Sequence, residues 1–272
     1  MPEGPEIARS AAEIAAAIAT KRVLLIEFAY PSLTPFCAQI NHSTVSGVGF
    51  RGKAMLVHFS CALTMYSHNQ LYGQWAILQP QEPANPRLQT RVAIHTASAV
   101  AVLYSASDIE VWPSADIHKQ RYIAKLGLEL LATSTTTADV RRVVAAPQFQ
   151  NRRVTQLLLD QGFLAGLGNY LRSDIMFVAR INPAAKLADL TAVQRETLAV
   201  AALEITQQSY ATGGITNDLA IAETMRKRGA AFGAYRHWVF DRAGLPCHVC
   251  ASAVVREDIS GRAVFYCPSC QR

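Results

Sequence analysis

The 272-residue chain opens with Met1-Pro2-Glu3-Gly4-Pro5-Glu6, and this stretch predicts the start of a helix. Pro5 suits the first turn, because a proline has no N–H to pair there and its φ is already close to helical. The carboxylate of Glu6 suits the positive end of the helix dipole. Apolar residues then recur at helical spacing and predict one buried stripe: Ile7, Ala11, Ile14 and Ile18.

The same stretch contains a candidate nucleophile. Removal of Met1 would leave Pro2 with a free secondary amine beside the carboxylate of Glu3. An α-amino group titrates at about 7.7–8.0, so about a tenth of it is unprotonated at pH 7, far more than of a lysine. Condensation of this amine with a sugar aldehyde would give an iminium, an electron sink that drives elimination at the neighbouring carbon. Taken alone, Pro2 also fits the plain role of a chain start.

Four cysteines near the C-terminus form the second strong pattern. Cys247-x-x-Cys250 and Cys267-x-x-Cys270 are separated by sixteen residues. Each turn can direct two thiolates at one ion, and the span between them is long enough for a β-hairpin. We therefore expect a tetrahedral Cys₄ site for one structural zinc ion. A pair of disulfides in a secreted domain is the alternative, but no signal peptide is apparent and the other two cysteines lie in apolar runs.

The pattern of hydrophobic residues changes along the chain. Short strand-like runs separated by Gly, Pro and Asn follow the first helix and predict a β-sandwich or barrel. From about Leu126 the periodicity becomes helical. We expect a multidomain α+β protein with a β-sandwich domain over 1–125, a helical domain over 126–212, a mobile loop over 213–235 and a zinc finger over 236–272.

Composition and charge limit the class of protein. The chain is 50% hydrophobic and 17% charged, without an apolar run long enough to cross a membrane, which predicts a soluble cytoplasmic protein. Its net charge of +6 is concentrated in 141–180 and 220–272, which favours a polyanionic partner. Basic faces are often merely solvated, so charge alone does not single out a nucleic acid.

A glycine-rich turn separates two of the predicted helices. It reads Leu164-Ala165-Gly166-Leu167-Gly168-Asn169-Tyr170. Asn169 is well placed to cap the second helix, whose exposed N–H groups could bind a phosphate. Such a turn is often only a connection, so the signal is weak on its own.

Together these motifs resemble the family of formamidopyrimidine-DNA glycosylase and endonuclease VIII. The N-terminal Pro-Glu-Gly-Pro-Glu, the Arg51-Gly52-Lys53 turn, the Gly-Leu-Gly-Asn-Tyr junction and the terminal Cys₄ hairpin with Arg262 occur in the family's order. The runs Ser67–Gly73 and Tyr104–Ile109 look like the bacterial endonuclease VIII branch. The resemblance implies a helix-two-turn-helix in the central domain, and bifunctional enzymes that excise an oxidised base and then nick the strand.

The resemblance also implies roles for the catalytic residues. Pro2 would attack the sugar C1′, and Glu3 would move protons during ring opening and elimination, while Glu6 would help to orient the site. The resemblance places Lys53 among the catalytic residues as well, and Lys53 would also grip a phosphate beside the extruded nucleotide.

The remaining implied residues contact DNA. Asn169 and Arg262 would bind phosphates, and the zinc hairpin would serve to present Arg262. Gln70, Leu71 and Tyr72 would fill the gap that the flipped base leaves, with Leu71 as an apolar wedge and Tyr72 stacking.

Two departures bear on the substrate. Gly127-Leu128-Glu129 stands where the family usually has Gly-Pro-Asp, a change that we interpret as structural. The segment Ala211–Arg236 is longer and more basic than the endonuclease VIII branch leads us to expect, and Gly213–Thr216 faintly resembles the purine-lesion branch.

We therefore predict a monomeric DNA glycosylase and lyase of base excision repair. It would act on oxidised pyrimidines in damaged double-stranded DNA by β,δ-elimination, without a small-molecule cofactor or a membrane, in the bacterial cytoplasm and at the nucleoid when acting. The same chemistry on oxidised purines stays open. So does a non-catalytic binder of damaged DNA, which would have no need of Pro2 and Glu3.

Overall fold

The computed structural model describes residues 2–259 and 261–272. Met1, whose removal the nucleophile hypothesis requires, lies outside the described residues. The chain divides into two compact units, one ending at Lys125 and one beginning at Leu126. The finer domain boundaries at 212 and 235 stay predictions. Among the described residues, no helix has both the length and the apolar character needed to cross a bilayer.

The first unit is a β-sandwich with an N-terminal helix, as the sequence predicts. The helices are α1 (Gly4–Ile18), α2 (Cys37–Ile40) and the 3-10 helices Pro31–Phe36, Ser114–Lys119 and Ile123–Lys125. The strands are β1 (Leu25–Phe28), β2 (Val45–Arg51), β3 (Ala54–Phe59), β4 (Leu63–His68), β5 (Gln74–Leu78), β6 (Thr90–His95), β7 (Val100–Tyr104) and β8 (Asp108–Pro113). They form two antiparallel four-stranded sheets with the strand orders β1-β6-β7-β5 and β2-β3-β4-β8, and side chains of both sheets share one core.

Helix α1 forms as its sequence predicts and packs on β2 and β3. Its apolar stripe is buried, since Ile7, Ala11, Ile14 and Ile18 are each at most 2% exposed. Burial of this stripe stabilises the position of the helix against the sandwich by roughly 1.5–3 kcal/mol for each large side chain. The N-terminus of the chain is thereby fixed to the sheet.

The second unit is helical and ends in a β-hairpin. Its core surrounds α5, a helix in which eight of ten residues are buried. The helices are α3 (Thr137–Ala145), α4 (Val154–Leu157), α5 (Asn169–Val178), α6 (Ala192–Thr212), α7 (Leu219–Lys227), α8 (Phe232–Tyr235) and the 3-10 helices Pro147–Phe149 and Leu187–Asp189. The strands are β9 (Leu128–Glu129), β10 (Leu164–Ala165), β11 (Val255–Ile259) and β12 (Arg262–Tyr266).

The segment 213–235, which the sequence predicted as a loop, contains the two helices α7 and α8. Asp218 caps α7, because its Oδ1 accepts hydrogen bonds from the N–H groups of Ala220 and Ile221 at 2.9 and 3.0 Å. The helix has nine residues, which is shorter than the window of about 11–18 residues over which an apolar period is read, and Ala222 is its buried residue. Periodicity therefore missed a helix that begins with a good cap.

Asp174 of α5 ties this segment to the helical core. Its fully buried carboxylate accepts hydrogen bonds from the N–H groups of Val239 and Phe240 at 2.9 and 3.1 Å and from the Thr216 hydroxyl, and His237 Nδ1 lies 3.2 Å away. Burial opposes ionisation, but the contacts with His237, Thr216 and Val239 hold the pKa of Asp174 below its usual value. One carboxylate thus satisfies donors from two parts of the chain, at Thr216 and at Val239–Phe240.

Asp174→Asn should destabilise the protein by about 3 kcal/mol, because an amide cannot accept from all of these buried donors. Asp218→Asn is the matched control and should cost less than about 0.5 kcal/mol, since asparagine caps helices as well as aspartate does. The free energy of unfolding in urea at pH 7 measures both. The ionised Asp174 stabilises the fold fully above its unfolded pKa of about 4, and this contribution is lost as pH falls through the lowered folded pKa. Equal effects of the two changes would contradict the assignment.

Candidate functional site

The candidate nucleophile and its neighbouring carboxylate lie at the N-terminus of α1. Glu3 is the N-cap residue and is only 3% exposed, whereas Pro2 is partly exposed. The Glu6 carboxylate accepts a hydrogen bond from the Glu3 N–H at 3.0 Å and completes a capping box. Glu6 therefore fixes the backbone that carries Glu3. A helix N-terminus also favours negative charge at this place.

Lys53 lies in the two-residue turn between β2 and β3. Gly52 takes a left-handed φ of 57°, which lets Arg51 pair with Ala54 across the turn. Lys53 is only 9% exposed, and its N–H donates to the Tyr122 hydroxyl at 2.9 Å. Sequence reasoning missed Tyr122, which is 69 residues away and belongs to no recognisable motif.

The predicted wedge residues lie on a tight turn between β4 and β5. The Gly73 N–H donates to the Asn69 carbonyl at 2.7 Å, and a Cβ at Gly73 would stand 2.6 Å from that same oxygen. Only glycine fits there. Leu71 and Tyr72 project from this turn and are 56% and 77% exposed. We call residues 69–73 the wedge turn.

Gln70 lies within this turn, where its backbone conformation and two hydrogen bonds fix the path of the chain. Its φ is 51°, a left-handed value that is uncommon outside glycine. The Gln70 N–H donates to His68 Nδ1 at 3.0 Å, and its side-chain oxygen accepts from the Ser107 hydroxyl at 2.7 Å. His68 and Ser107 both fall within the sequence runs that carry the family resemblance, but their contacts with Gln70 needed the structure.

Asn169 is the first residue of α5, one position inside the helix from the cap position that the sequence predicted. Gly168 is the N-cap residue, so the prediction that Asn169 caps the helix is wrong. The reason is that the Asn169 Oδ1 accepts a hydrogen bond from the Arg172 guanidinium instead. Arg172 is 1% exposed, and it also donates to the Ala263 carbonyl at 2.5 Å. Arg172 therefore connects Asn169 with the strand that begins at Arg262.

Arg262 is exposed at the start of β12, opposite Ile259. A cavity of about 270 Å³ opens beside it within the second unit. Its charged lining consists of Arg152, Asp160, Arg172 and Arg262, with Arg152 and Asp160 paired at 2.6 Å. Three guanidinium groups against one carboxylate suit an anion such as phosphate.

The four C-terminal cysteines come together around the base of the β11–β12 hairpin. Their sulfur atoms all lie within 4.8 Å of one another. The Ser252 and Ser269 hydroxyls, 2.8 Å apart, join the two Cys-x-x-Cys turns. Four thiols at this spacing fit a tetrahedral, closed metal site, and thiolate ligands suit zinc. The site can hold a metal ion for folding, but four protein ligands leave no open position for chemistry.

The structure thus groups the predicted residues within each unit. Pro2, Glu3, Lys53 and the wedge turn belong to the first unit. Asn169, Arg262 and the cysteine cluster belong to the second unit. There Arg172 contacts both Asn169 and the strand that begins at Arg262.

Two family models match the chain. Residues 1–107 match the formamidopyrimidine-DNA glycosylase N-terminal domain, and residues 126–220 match the formamidopyrimidine-DNA glycosylase H2TH domain. The curated relatives include Endonuclease 8 of Escherichia coli strain K12, 41% identical over 271 residues, and Endonuclease 8 of Klebsiella pneumoniae, 39% identical over 272 residues. Both alignments cover 100% of this chain and 100% of the relative.

Solved structures show the same fold. Lactococcus lactis Fpg in complex with DNA that contains an abasic site superposes with a TM-score of 0.81 at 19% identity and covers 99% of each chain. The same enzyme with N7-benzyl-Fapy-dG DNA gives a TM-score of 0.81 at 20% identity and covers 100% of each. At this identity, the likeness establishes the fold alone. Because the curated relatives match over their full length and both domain models match in order, the chain belongs to the formamidopyrimidine-DNA glycosylase and endonuclease VIII family of DNA glycosylases, whose members also have lyase activity.

Proposed function

We propose that this DNA glycosylase of base excision repair removes oxidised pyrimidines from duplex DNA and cleaves the strand through an iminium formed on Pro2. The observation that carries the proposal is the buried Glu3 carboxylate directly beside Pro2, at the start of α1. A carboxylate is costly to bury, and a protein that only binds DNA gains nothing from one at this place. The proposal requires that Met1 is removed, so that Pro2 carries the free amine.

The first step is displacement of the base. The Pro2 nitrogen attacks C1′, the glycosidic bond breaks, and its electron pair leaves with the base, which takes up a proton from solvent. The Glu3 carboxylate takes the proton that the Pro2 nitrogen releases and delivers it to the ring oxygen O4′ as the C1′–O4′ bond breaks, while the nitrogen lone pair forms the C1′ iminium. The helix α1 and its capping box hold Glu3 in place for this transfer.

The second step is elimination. The iminium acidifies C2′, whose proton passes to the Glu3 carboxylate, and the C3′–O bond breaks with its electron pair on the departing phosphate. Loss of the C4′ proton and cleavage of the C5′–O bond then release the second phosphate in the same way. Water hydrolyses the iminium, which frees the sugar fragment and returns Pro2 to its amine form. Both eliminations use the cationic nitrogen as their electron sink, so no further cofactor is required.

DNA is held by cations and amides from both units. Lys53 grips a phosphate from the β2–β3 turn, and Asn169 and Arg262 grip phosphates beside the arginine-lined cavity of the second unit. Leu71 and Tyr72 enter the gap in the base stack, where their exposed apolar surface replaces contacts of the extruded base. The DNA complexes of the structurally similar Lactococcus lactis enzyme support this proposal.

One zinc ion is the proposed structural metal. The Cys247, Cys250, Cys267 and Cys270 thiolates would bind it and hold the base of the hairpin closed. Its role is to fold the strand that presents Arg262.

The pyrimidine preference rests on the wedge turn. Gln70, Leu71 and Tyr72 form the more specific sequence match, and hydrogen bonds on both sides fix their turn. The full-length relatives named Endonuclease 8 support the same branch. The alternative is an oxidised-purine enzyme, which α7 and α8 would serve as a cover over a larger base.

Borohydride should trap a covalent complex with abasic-site DNA, because reduction turns the iminium into a stable amine. Pro2→Gly should lower trapping at least about tenfold. Glu3→Gln should slow base removal about 100-fold, the usual size of general acid–base catalysis, with unchanged binding, because glutamine can still cap α1. Efficient trapping by N-terminally acetylated enzyme would refute the role of Pro2.

Metal analysis should find about one zinc per chain, and Cys247→Ser should lose it together with DNA affinity. Cys61→Ser, the same change outside the cluster, should keep both. A Cys247→Ser protein that retains zinc would rule out the four-thiolate site.

Arg262→Ala should retain zinc but bind DNA weakly, and the slope of log affinity against log salt should fall by about one phosphate contact. Arg256→Ala, on the same hairpin but paired with Asp258 at 3.1 Å, is the matched control and should change neither. Equal affinities of the two variants would remove Arg262 from the interface.

Single-turnover excision should be at least about tenfold faster on thymine glycol or dihydrouracil than on 8-oxoguanine paired with cytosine, a difference of roughly 1.4 kcal/mol. Equal rates would contradict the pyrimidine preference. A preference for 8-oxoguanine that disappears when residues 213–229 are shortened would assign the protein to the purine branch.

A further inference from the structure

His68 stands between the proposed catalytic lysine and the wedge turn. It is the last residue of β4, where it pairs with Ala54 on one side and Asp108 on the other. Its ring meets the Tyr122 ring edge to face, with centroids 5.2 Å apart. Tyr122 in turn accepts the hydrogen bond from the Lys53 N–H. One aromatic pair therefore joins the Lys53 turn with the start of the wedge turn.

The hydrogen bond to Gln70 fixes the state of the His68 ring. A backbone N–H can only donate, so His68 Nδ1, 3.0 Å from the Gln70 nitrogen, must carry a lone pair. The ring is therefore neutral, with its proton on Nε2. In an imidazolium both nitrogens are donors, so protonation of His68 would break this bond.

The surroundings of His68 favour the neutral ring. Burial lowers the pKa of His68 below its usual value, the positive charge of Lys53 adds to this effect, and Asp108 opposes it. Tyr122 faces the ring from the other side. The native state thus prefers the form that can accept the Gln70 hydrogen bond at neutral pH.

Gln70 needs this support because its backbone is strained. A non-glycine residue with a left-handed φ of 51° persists only where neighbouring groups over-determine it. Two hydrogen bonds hold Gln70: its backbone N–H donates to His68 Nδ1, and its side-chain oxygen accepts from the Ser107 hydroxyl. Leu71 and Tyr72 follow directly, so their direction depends on this residue.

We propose that His68 is a positioning residue which, only as the neutral imidazole, holds Gln70 and so aims Leu71 and Tyr72 into the DNA stack. This inference rests on the proposed wedge role of those residues. It makes insertion of the wedge dependent on pH: insertion is supported while His68 is neutral and is lost as pH falls and the ring takes up a proton.

The test uses two variants that differ in one feature. H68N places an amide oxygen on Cγ, where Nδ1 is bonded, and so can accept from Gln70 without titrating. H68Q carries its amide one atom further and has no acceptor at that position. The probe is a duplex with a tetrahydrofuran abasic analogue opposite 2-aminopurine, whose fluorescence reports insertion of the wedge in stopped flow.

At pH 7.5 we expect H68Q to insert the wedge about tenfold more slowly than wild type, the effect of one lost hydrogen bond, and H68N to restore most of the rate. Because the pKa of His68 is lowered, wild-type insertion should fall only at pH values below the usual histidine pKa of about 6.5, whereas the rate of H68N should be flat there. Equal rates of H68N and H68Q, or an acid limb that H68N retains, would overturn the proposal. A ¹⁵N spectrum showing the proton of free-enzyme His68 on Nδ1 would overturn it as well.

Leu71→Ala separates this inference from the proposed function beneath it. A Leu71→Ala protein with an unchanged fluorescence signal would disprove the wedge itself. A Leu71→Ala protein that loses the signal, together with an unaffected H68Q, would leave the wedge in place and disprove only the role of His68.

Discussion

The start of α1 is the constraint on which the proposed chemistry depends. The buried Glu3 lies directly after Pro2, the proposed nucleophile, and the helix that begins at Gly4 holds the Glu3 backbone through the Glu6 capping bond. The apolar stripe of α1 then fixes the helix on the sandwich. A flexible N-terminal tail would lose this pre-organisation, and with it the advantage of a nucleophile and a proton carrier held side by side.

In the second unit, the helix that holds the candidate site residues in place is α5. Its buried polar residues face different parts of the chain: Arg172 donates to the hairpin strand, and Asp174 accepts from the segment after α6. Buried charges are tolerated here because each has specific partners. The helix that begins at Asn169 therefore also sets the place of Arg262. The cluster of four cysteines lies at the base of the hairpin, and Arg172 of α5 contacts its second strand.

The wedge turn combines rigidity with exposure. Gly73 allows the closest backbone approach, and Gln70 takes a strained φ that His68 and Ser107 hold. Leu71 and Tyr72 are left exposed, and this apolar surface supports the proposed role of the turn in the DNA stack. The rigid base of the turn reduces the entropy that insertion would otherwise cost.

The sequence by itself determined the features that arise from short-range rules. Neighbouring residues alone determine the helix start at Pro5 and Glu6 and the two Cys-x-x-Cys turns. The strand-like runs likewise follow from the local pattern of residues. The family motifs extended this to the fold and to most candidate residues. Tyr122 beside Lys53 and Arg172 between Asn169 and Ala263 were decided only by the tertiary structure, since these partners are 69 and 91 residues apart. The same holds for α7, whose nine residues are too few for an apolar period to be read, and for Gly168 as the cap of α5, because the Arg172 guanidinium that takes the Asn169 side chain is also held by the Ala263 carbonyl. Local preferences are encoded in neighbouring residues, whereas the choice among competing partners for a buried polar group is made by the packing that surrounds it.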